Sequence, residues 1–144
     1  MKYDYLTKNI ENSFYGVSSE EVIQAERKLE VNFPLELKKF YSEVGYGFIK
    51  GSEYNINRIM DPFSIRDFRL RVNDFKNYPD IETFDEVEYD RLAFFEANES
   101  VMILIGITSD SVSPIYLYDV KIADSLAEFF RKITRNDMYY MNLV

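Results

Sequence analysis

The sequence contains neither cysteine nor histidine among its 144 residues. Without cysteine there is no disulfide, no thiolate metal ligand and no thiol nucleophile, which fits a reducing compartment. Without histidine, a Ser-His-Asp triad, an imidazole general base and the usual zinc sites are excluded. We therefore expect no catalytic residues, no cofactor-binding residues and no metal ligands, and a carboxylate-dependent enzyme is the main catalytic alternative left open.

Long apolar runs are also absent. No stretch approaches the roughly 20 apolar residues of a membrane helix, and the first residues, MKYDY, do not resemble a signal peptide. The predicted location is cytoplasmic, away from membranes. Apolar residues make up 47% and aromatic residues 17% of the chain, enough for a packed core at this length. We expect residues 1–144 to form a single domain.

Acidic residues are present in excess and are concentrated in one place. The net charge is −8, and residues 80–99 contain eight acidic side chains against one basic side chain, Arg91. Such a segment repels phosphate groups, so we expect no binding to nucleic acid or to anionic membranes. A basic protein is the better candidate partner.

The first half of the chain is predicted to be mainly helical. Apolar residues at helical spacing from Tyr3 to Phe14 predict a helix that ends before Gly16. Ser18 and Glu21 form a capping box for a second helix. Pro34 opens a third helix, which Gly45 ends. One or two strands follow at residues 46–59, with a turn near 50–51, and Asp61-Pro62 starts a fourth helix that continues to Phe75.

The second half of the chain is predicted to form a sheet. Residues 80–90 are too charged for a buried element and are expected to be a loop leading into a short strand at 92–95. The apolar run 101–107 predicts a strand buried on both faces, and residues 115–119 form its hairpin partner. The apolar face of a final helix contains Leu126, Phe129, Phe130 and Ile133. The predicted class is α+β, with a central, largely antiparallel sheet and helices packed around it.

Two segments resemble the SUKH superfamily of bacterial immunity proteins, which includes the fungal cell-wall glucan-synthesis regulators. The first runs from VSSEEV at residues 17–22 through FP at 33–34 and LKKFY at 37–41 to GYG at 45–47. The second, IADSLAEFF at residues 122–130, is similar to the closing helix of the family. The resemblance implies an antitoxin that binds and neutralises a cognate toxin domain, often a nuclease. The alternative function is that of a regulatory scaffold that recruits cytoplasmic partners.

The acidic stretch within residues 80–99 is the preferred interaction surface, because carboxylates can engage the basic substrate groove of a nuclease. The candidate partner-binding residues are Asp80, Glu82, Asp85, Glu86, Glu88, Tyr89 and Asp90. A solvated loop that only keeps the protein soluble is an equal alternative. Catalytic carboxylate pairs (Asp85 with Glu86, or Glu88 with Asp90) and a Ca²⁺ or Mg²⁺ site in the same stretch are disfavoured, since no glycan groove or EF-hand spacing is present.

Two further groups have more than one interpretation. Tyr89, Tyr139 and Tyr140 can be interface anchors or can pack in the core or at its rim, and an aromatic-rich core favours packing. A cationic cluster can bind phosphate, can pair with the acidic stretch, or can form a salt-bridged helix face, which is the favoured interpretation. Its members are Arg58, Arg66, Arg69 and Arg71.

Overall fold

The computed structural model describes all residues from Met1 to Val144. The helices are α1 (Asp4–Thr7), α2 (Ser19–Leu29), α3 (Leu35–Glu43), α4 (Pro62–Leu70) and α5 (Leu126–Arg135). The strands are β1 (Ser13–Tyr15), β2 (Tyr46–Phe48), β3 (Arg58–Ile59), β4 (Arg91–Asn98), β5 (Val101–Gly106), β6 (Ile115–Leu117) and β7 (Val120–Ala123). Short 3-10 helices cover Asn73–Phe75, Ile81–Phe84 and Tyr139–Asn142. None of the helices has the length and apolar character required to cross a bilayer.

The seven strands form one antiparallel sheet in chain order, with β1 and β7 at its edges. The two longest strands, β4 and β5, pair from Arg91 opposite Gly106 to Asn98 opposite Val101. Strand β5 is buried from Met102 to Gly106, as its apolar run predicts. The predicted α+β class with a central antiparallel sheet is confirmed.

Helix α2 begins as the capping box predicts. The Oγ of Ser18 accepts a hydrogen bond from the backbone N–H of Glu21 at 3.2 Å and donates to its Oε1 at 3.3 Å. Val22 and Ala25 are buried on its inner face. The helix ends at Leu29, because Glu30 takes a left-handed φ of 55° and stops further helical hydrogen bonding.

The predicted N-terminal helix over Tyr3 to Phe14 is wrong beyond its first turn. Helix α1 ends at Thr7, Ile10 is 97% exposed and residues 13–15 form the edge strand β1. The side chain of Asn12 donates to the carbonyl of Leu6 at 3.0 Å and accepts from the N–H of Lys50 at 2.9 Å. Such hydrogen bonds between a side chain and the backbone compete with helix formation, so they redirect the chain into the sheet.

Helix α4 starts as predicted, with Asp61 at the N-cap and Pro62 in its first turn, but it is shorter than the pattern suggests. Arg71 takes a left-handed φ of 60° and ends the helix at Leu70. Phe75 is still buried, although it belongs to a separate 3-10 helix. The apolar spacing therefore identified buried residues correctly while placing the helix end too late.

Strand β4 is twice the predicted length. The prediction covered only the apolar middle of the strand, because charged residues near its ends interrupt the apolar pattern. Glu96 lies within the strand and pairs with Arg58 on β3 at 3.5 Å. Strand β7 was not predicted at all, since Ile122 and Ala123 were assigned to the closing helix. That helix begins only after Ser125, whose Oγ accepts from the N–H of Glu128 at 3.1 Å.

One hydrophobic core of 33 buried residues joins the sheet to the helices. The ring centroids of Tyr3 and Phe40 lie 4.9 Å apart, and those of Phe40 and Phe130 lie 4.6 Å apart. The predicted apolar face of α5 is entirely buried. The buried carboxylate of Glu36 accepts hydrogen bonds from the N–H groups of Ser113 and Leu126, both at 2.9 Å, and so links α3 to the start of α5.

Candidate functional site

Residues 80–90, here called the acidic segment, connect the end of the α4 region to β4. The prediction that this stretch contains no buried element is wrong at Phe84, which is only 1% exposed. Its ring lies edge-on to Phe68 of α4 and is stacked on Tyr118, with centroids 5.3 Å apart in both cases. An apolar anchor thus attaches the middle of the segment to the core.

Two arginines hold the rest of the segment in place. Arg69 Nη1 donates to the carbonyls of Glu88 at 2.9 Å and Arg91 at 2.8 Å. Arg71 Nη2 lies 2.9 Å from Asp85 Oδ1 and 2.9 Å from Glu88 Oε2. The acidic segment is therefore tied to the end of α4 through both its backbone and its side chains.

Glu88 differs from the other candidate residues because it faces inward. The residue is 7% exposed, and burial raises the pKa of its carboxyl group above the ordinary value, although the ion pair with Arg71 acts in the opposite direction. One oxygen, Oε2, accepts from Arg71, whereas Oε1 is buried without a hydrogen-bond partner. No local pattern separates Glu88 from its neighbours, because its counter-ion Arg71 lies 17 residues earlier in the chain.

The remaining candidates point to solvent and form the acidic surface. This surface comprises Asp80, Glu82, Asp85, Glu86, Tyr89 and Asp90. The Tyr89 side chain is 89% exposed, and its ring is not among those that pack against another ring or a cation of the chain. The aromatic ring of Tyr89 is thus exposed to solvent among carboxylate side chains.

Tyr89 lines two neighbouring grooves, which also share Arg69. The first, here called the Tyr89 groove, is lined by Arg69, Arg71, Asp85, Glu88 and Tyr89. The second extends from the end of α2 to the turn after β5, and is lined by Glu30, Val31, Asn32, Arg69, Tyr89, Asp90, Ile107, Thr108 and Ser109. Sequence reasoning missed Glu30, Asn32, Thr108 and Ser109, because only the folded chain brings these loops beside the acidic segment.

Arg91 fixes the last residue of the segment against the sheet. Its guanidinium lies 3.7 Å from the centroid of the Tyr116 ring, and its Nη1 donates to the carbonyl of Tyr118 at 2.7 Å. The backbone carbonyl of Asp90 accepts from the N–H of Ile107 at 2.8 Å. The exposed carboxylates are consequently presented by a backbone that is held at its middle, by Phe84, and at its C-terminal end.

The cationic cluster is engaged inside the molecule. Arg66 pairs with Asp67 at 2.9 Å, and Arg58 pairs with both Asp61 and Glu96. The favoured interpretation of a salt-bridged helix face holds for Arg66. Arg71 instead pairs with the acidic segment, which was the second interpretation.

The aromatic residues near the C-terminus pack inside. Tyr140 is fully buried, and the hydroxyl of half-buried Tyr139 donates to the carbonyl of Ile122 at 2.7 Å. Packing in the core or at its rim, the favoured interpretation, is therefore confirmed for Tyr139 and Tyr140 and is wrong for Tyr89, which is 89% exposed. No group of three or more carboxylates is arranged to hold a metal ion.

This fold, together with its match to a family model, defines the class of protein. The model of the SUKH family described as SMI1-KNR4 cell-wall matches residues 19–130, from the first residue of α2 into α5. The chain belongs to the SUKH superfamily, which confirms the resemblance seen in its N-terminal and C-terminal segments. Among curated proteins, it is similar to Immunity protein YxxD of Bacillus subtilis (strain 168). The two are 54% identical over 144 residues, which cover 100% of this chain and 98% of that protein.

Proposed function

We propose that this protein is an immunity protein that binds a cognate toxin domain in the cytoplasm and neutralises it by protein–protein contact. The observation that carries the proposal is the 54% identity, over the whole chain, to a relative named as an immunity protein. The aligned region covers the acidic segment as well as the elements that form the core. The mode of action requires binding alone, which agrees with a chain that has no histidine or cysteine.

The acidic surface is the proposed contact region. Its carboxylates are exposed, while the backbone beneath them is held by Phe84, Arg69 and Arg91. A surface that is ordered before binding loses less conformational entropy on association, and complementary charge raises the association rate and the selectivity. Both properties suit a protein that must capture a toxin quickly.

A nuclease domain is the proposed type of toxin. Nucleases bind polyanions and therefore present a basic groove, which an acidic surface can cover. Blocking that groove would stop substrate entry without any chemical step. For the same electrostatic reason we expect no binding of this chain to nucleic acid.

Co-expression tests the function directly. The toxin domain encoded beside this gene is expressed in a host with this protein, and growth is compared with that of a host carrying the toxin alone. Growth rescue together with a stable complex of the purified proteins supports the proposal. If neighbouring toxin domains are lethal with and without this protein, the immunity function is wrong.

A regulatory scaffold remains the alternative, and the description of the matched family as SMI1-KNR4 cell-wall favours it. A scaffold would retain several unrelated enzymes from the native host in affinity purification, and its gene would lie apart from toxin genes. An immunity protein would instead form one tight complex with one toxin. Gene neighbourhood and partner number together separate the two functions.

A further inference from the structure

The Tyr89 groove contains a carboxylate oxygen that the chain does not use. Arg71 Nη2 engages one oxygen of Asp85 and one oxygen of Glu88. The second oxygen of Asp85 makes no hydrogen bond within the chain, and Glu88 Oε1 is buried without a partner. Glu88 Oε1 has almost no solvent-accessible surface and is closed to a partner, so the free oxygen of Asp85 is the acceptor that the groove offers, and a charged donor that reaches it gains a charge-assisted hydrogen bond.

The groove also has an open aromatic wall. Tyr89 is 89% exposed. Four other aromatic rings in the chain each lie beneath a cationic side chain, whereas the Tyr89 ring does not. Phenol rings attract guanidinium and ammonium groups placed over their faces. Tyr89 therefore offers an unused cation-binding face in the groove that it shares with the unused oxygen of Asp85.

The two arginines in the groove do not make it basic. Arg69 Nη1 is engaged by two backbone carbonyls, and Arg71 is engaged by the carbonyl of Phe68 as well as by the two carboxylates. The surrounding acidic segment contains six carboxylates and no basic residue. The local field consequently favours a cation in spite of the guanidinium groups below.

We propose that the Tyr89 groove receives an arginine side chain of the partner, with its guanidinium over the Tyr89 ring and its N–H groups directed to the free oxygen of Asp85. Arginine fits better than lysine, because its flat guanidinium covers a ring while the N–H groups along its edge reach a carboxylate beside the ring. This assignment rests on the proposed function, since it names the chemistry that the toxin presents to the acidic surface.

A peptide titration tests the assignment without the toxin. The probe is the capped pentapeptide Gly-Gly-Arg-Gly-Gly, compared with peptides that contain citrulline or lysine in place of arginine. We expect the arginine peptide to shift the backbone amide NMR signals of Glu88 and Tyr89, and the uncharged citrulline peptide to bind several-fold more weakly. Equal binding of the arginine and citrulline peptides would overturn the assignment, and a preference for the lysine peptide would overturn the choice of arginine.

Variants then test the groove in the complex with the toxin domain. Tyr89→Ala should weaken binding about 10-fold or more, as expected for an aromatic anchor, whereas Tyr89→Phe should retain most of the affinity because the ring remains. Asp85→Asn should weaken binding without touching the core. Tyr54→Ala is the matched control, because Tyr54 is also an exposed tyrosine, at 86%, in the loop between β2 and β3.

The outcomes separate the two proposals. If the toxin is neutralised and the Tyr89→Ala and Asp85→Asn variants bind it like the unaltered protein, the groove assignment is wrong while the immunity function stands. If no toxin is neutralised, the immunity function is wrong, and the peptide titration still decides whether the groove selects arginine.

Discussion

Arg71 and Glu88 form the ion pair that folds the acidic segment onto the protein. Arg71 Nη2 lies 2.9 Å from Glu88 Oε2, and the two side chains are 25% and 9% exposed. Arg71 occupies the left-handed position that ends α4, so its side chain leaves the helix axis and reaches the segment. Arg71 therefore both terminates α4 and neutralises Glu88, the most buried carboxylate of the acidic segment.

We expect Arg71→Ala to lower the free energy of unfolding by about 1–3 kcal/mol, because Glu88 would stay buried without its partner. Chemical denaturation measures the change. Arg66→Ala is the control, since Arg66 pairs with its sequence neighbour Asp67 and should contribute less than about 1 kcal/mol. The double variant Arg71→Ala with Glu88→Gln should regain part of the loss, and equal stability of Arg71→Ala and the unaltered protein would contradict the role of this pair.

Asp137 should make stability depend on pH. Burial alone raises the pKa of its carboxyl group, but hydrogen bonds from Ser52, Asn57 and Asn55 outweigh it and hold the pKa below the ordinary value of 3.8. A pKa that is lowered in the folded state gives stability that is present above the unfolded pKa and lost as pH falls through the folded pKa. Asp137→Asn should therefore be less stable than the unaltered protein at neutral pH.

The comparison is made by urea denaturation at pH 7 and near pH 2. The stability difference between the unaltered protein and Asp137→Asn should shrink at the lower pH. Asp124→Asn is the control, because the pKa of Asp124 is also lowered, chiefly by Lys121, but the group is fully exposed and should contribute little. A constant difference for Asp137→Asn across this range would show that the charge of Asp137 has no part in holding the loop between β2 and β3, from which Ser52, Asn55 and Asn57 donate hydrogen bonds to it.

The capping box at α2 should contribute measurably to folding. Ser18→Ala removes the acceptor for the N–H of Glu21 and should cost about 1 kcal/mol. Ser19→Ala at the next position is the matched control, since Ser19 lies inside the helix and is not its cap. Thermal or chemical denaturation measures both, and a larger loss for Ser19→Ala would contradict the assigned cap.

Neutralising the exposed acidic surface should slow toxin capture. The variant with Asp80→Asn, Glu82→Gln and Glu86→Gln should lower the association rate several-fold and reduce its dependence on salt, because long-range steering is weakened. A control variant carries the same loss of charge at Glu11, Glu43 and Glu53, which are exposed elsewhere. Stopped-flow or surface-binding kinetics measure the rates, and equal slowing by both variants would mean that net charge rather than this surface governs association.

Much of the fold was predictable where the determining interactions are local. The cap of α2, the start of α4 at Asp61-Pro62 and the face of α5 depend on residues within four positions of each other, and all three were placed correctly. The helix over Tyr3 to Phe14 failed because the Asn12 side chain bonds to Lys50, 38 residues away, and β7 was missed because its pairing partner had first to be in place.

The sequence by itself determined the composition that disfavours the commoner catalytic sites, the location of nearly all net charge and the α+β class, because residue counts and local periodicity establish each of them. Only the tertiary structure decided which acidic residues face the solvent. Glu88 turned inward because Arg71 lies close enough to compensate its charge, whereas Tyr89 turned outward, where it lines two grooves that three distant loops create. Such contacts arise between residues far apart in the chain, so local patterns carry no trace of them.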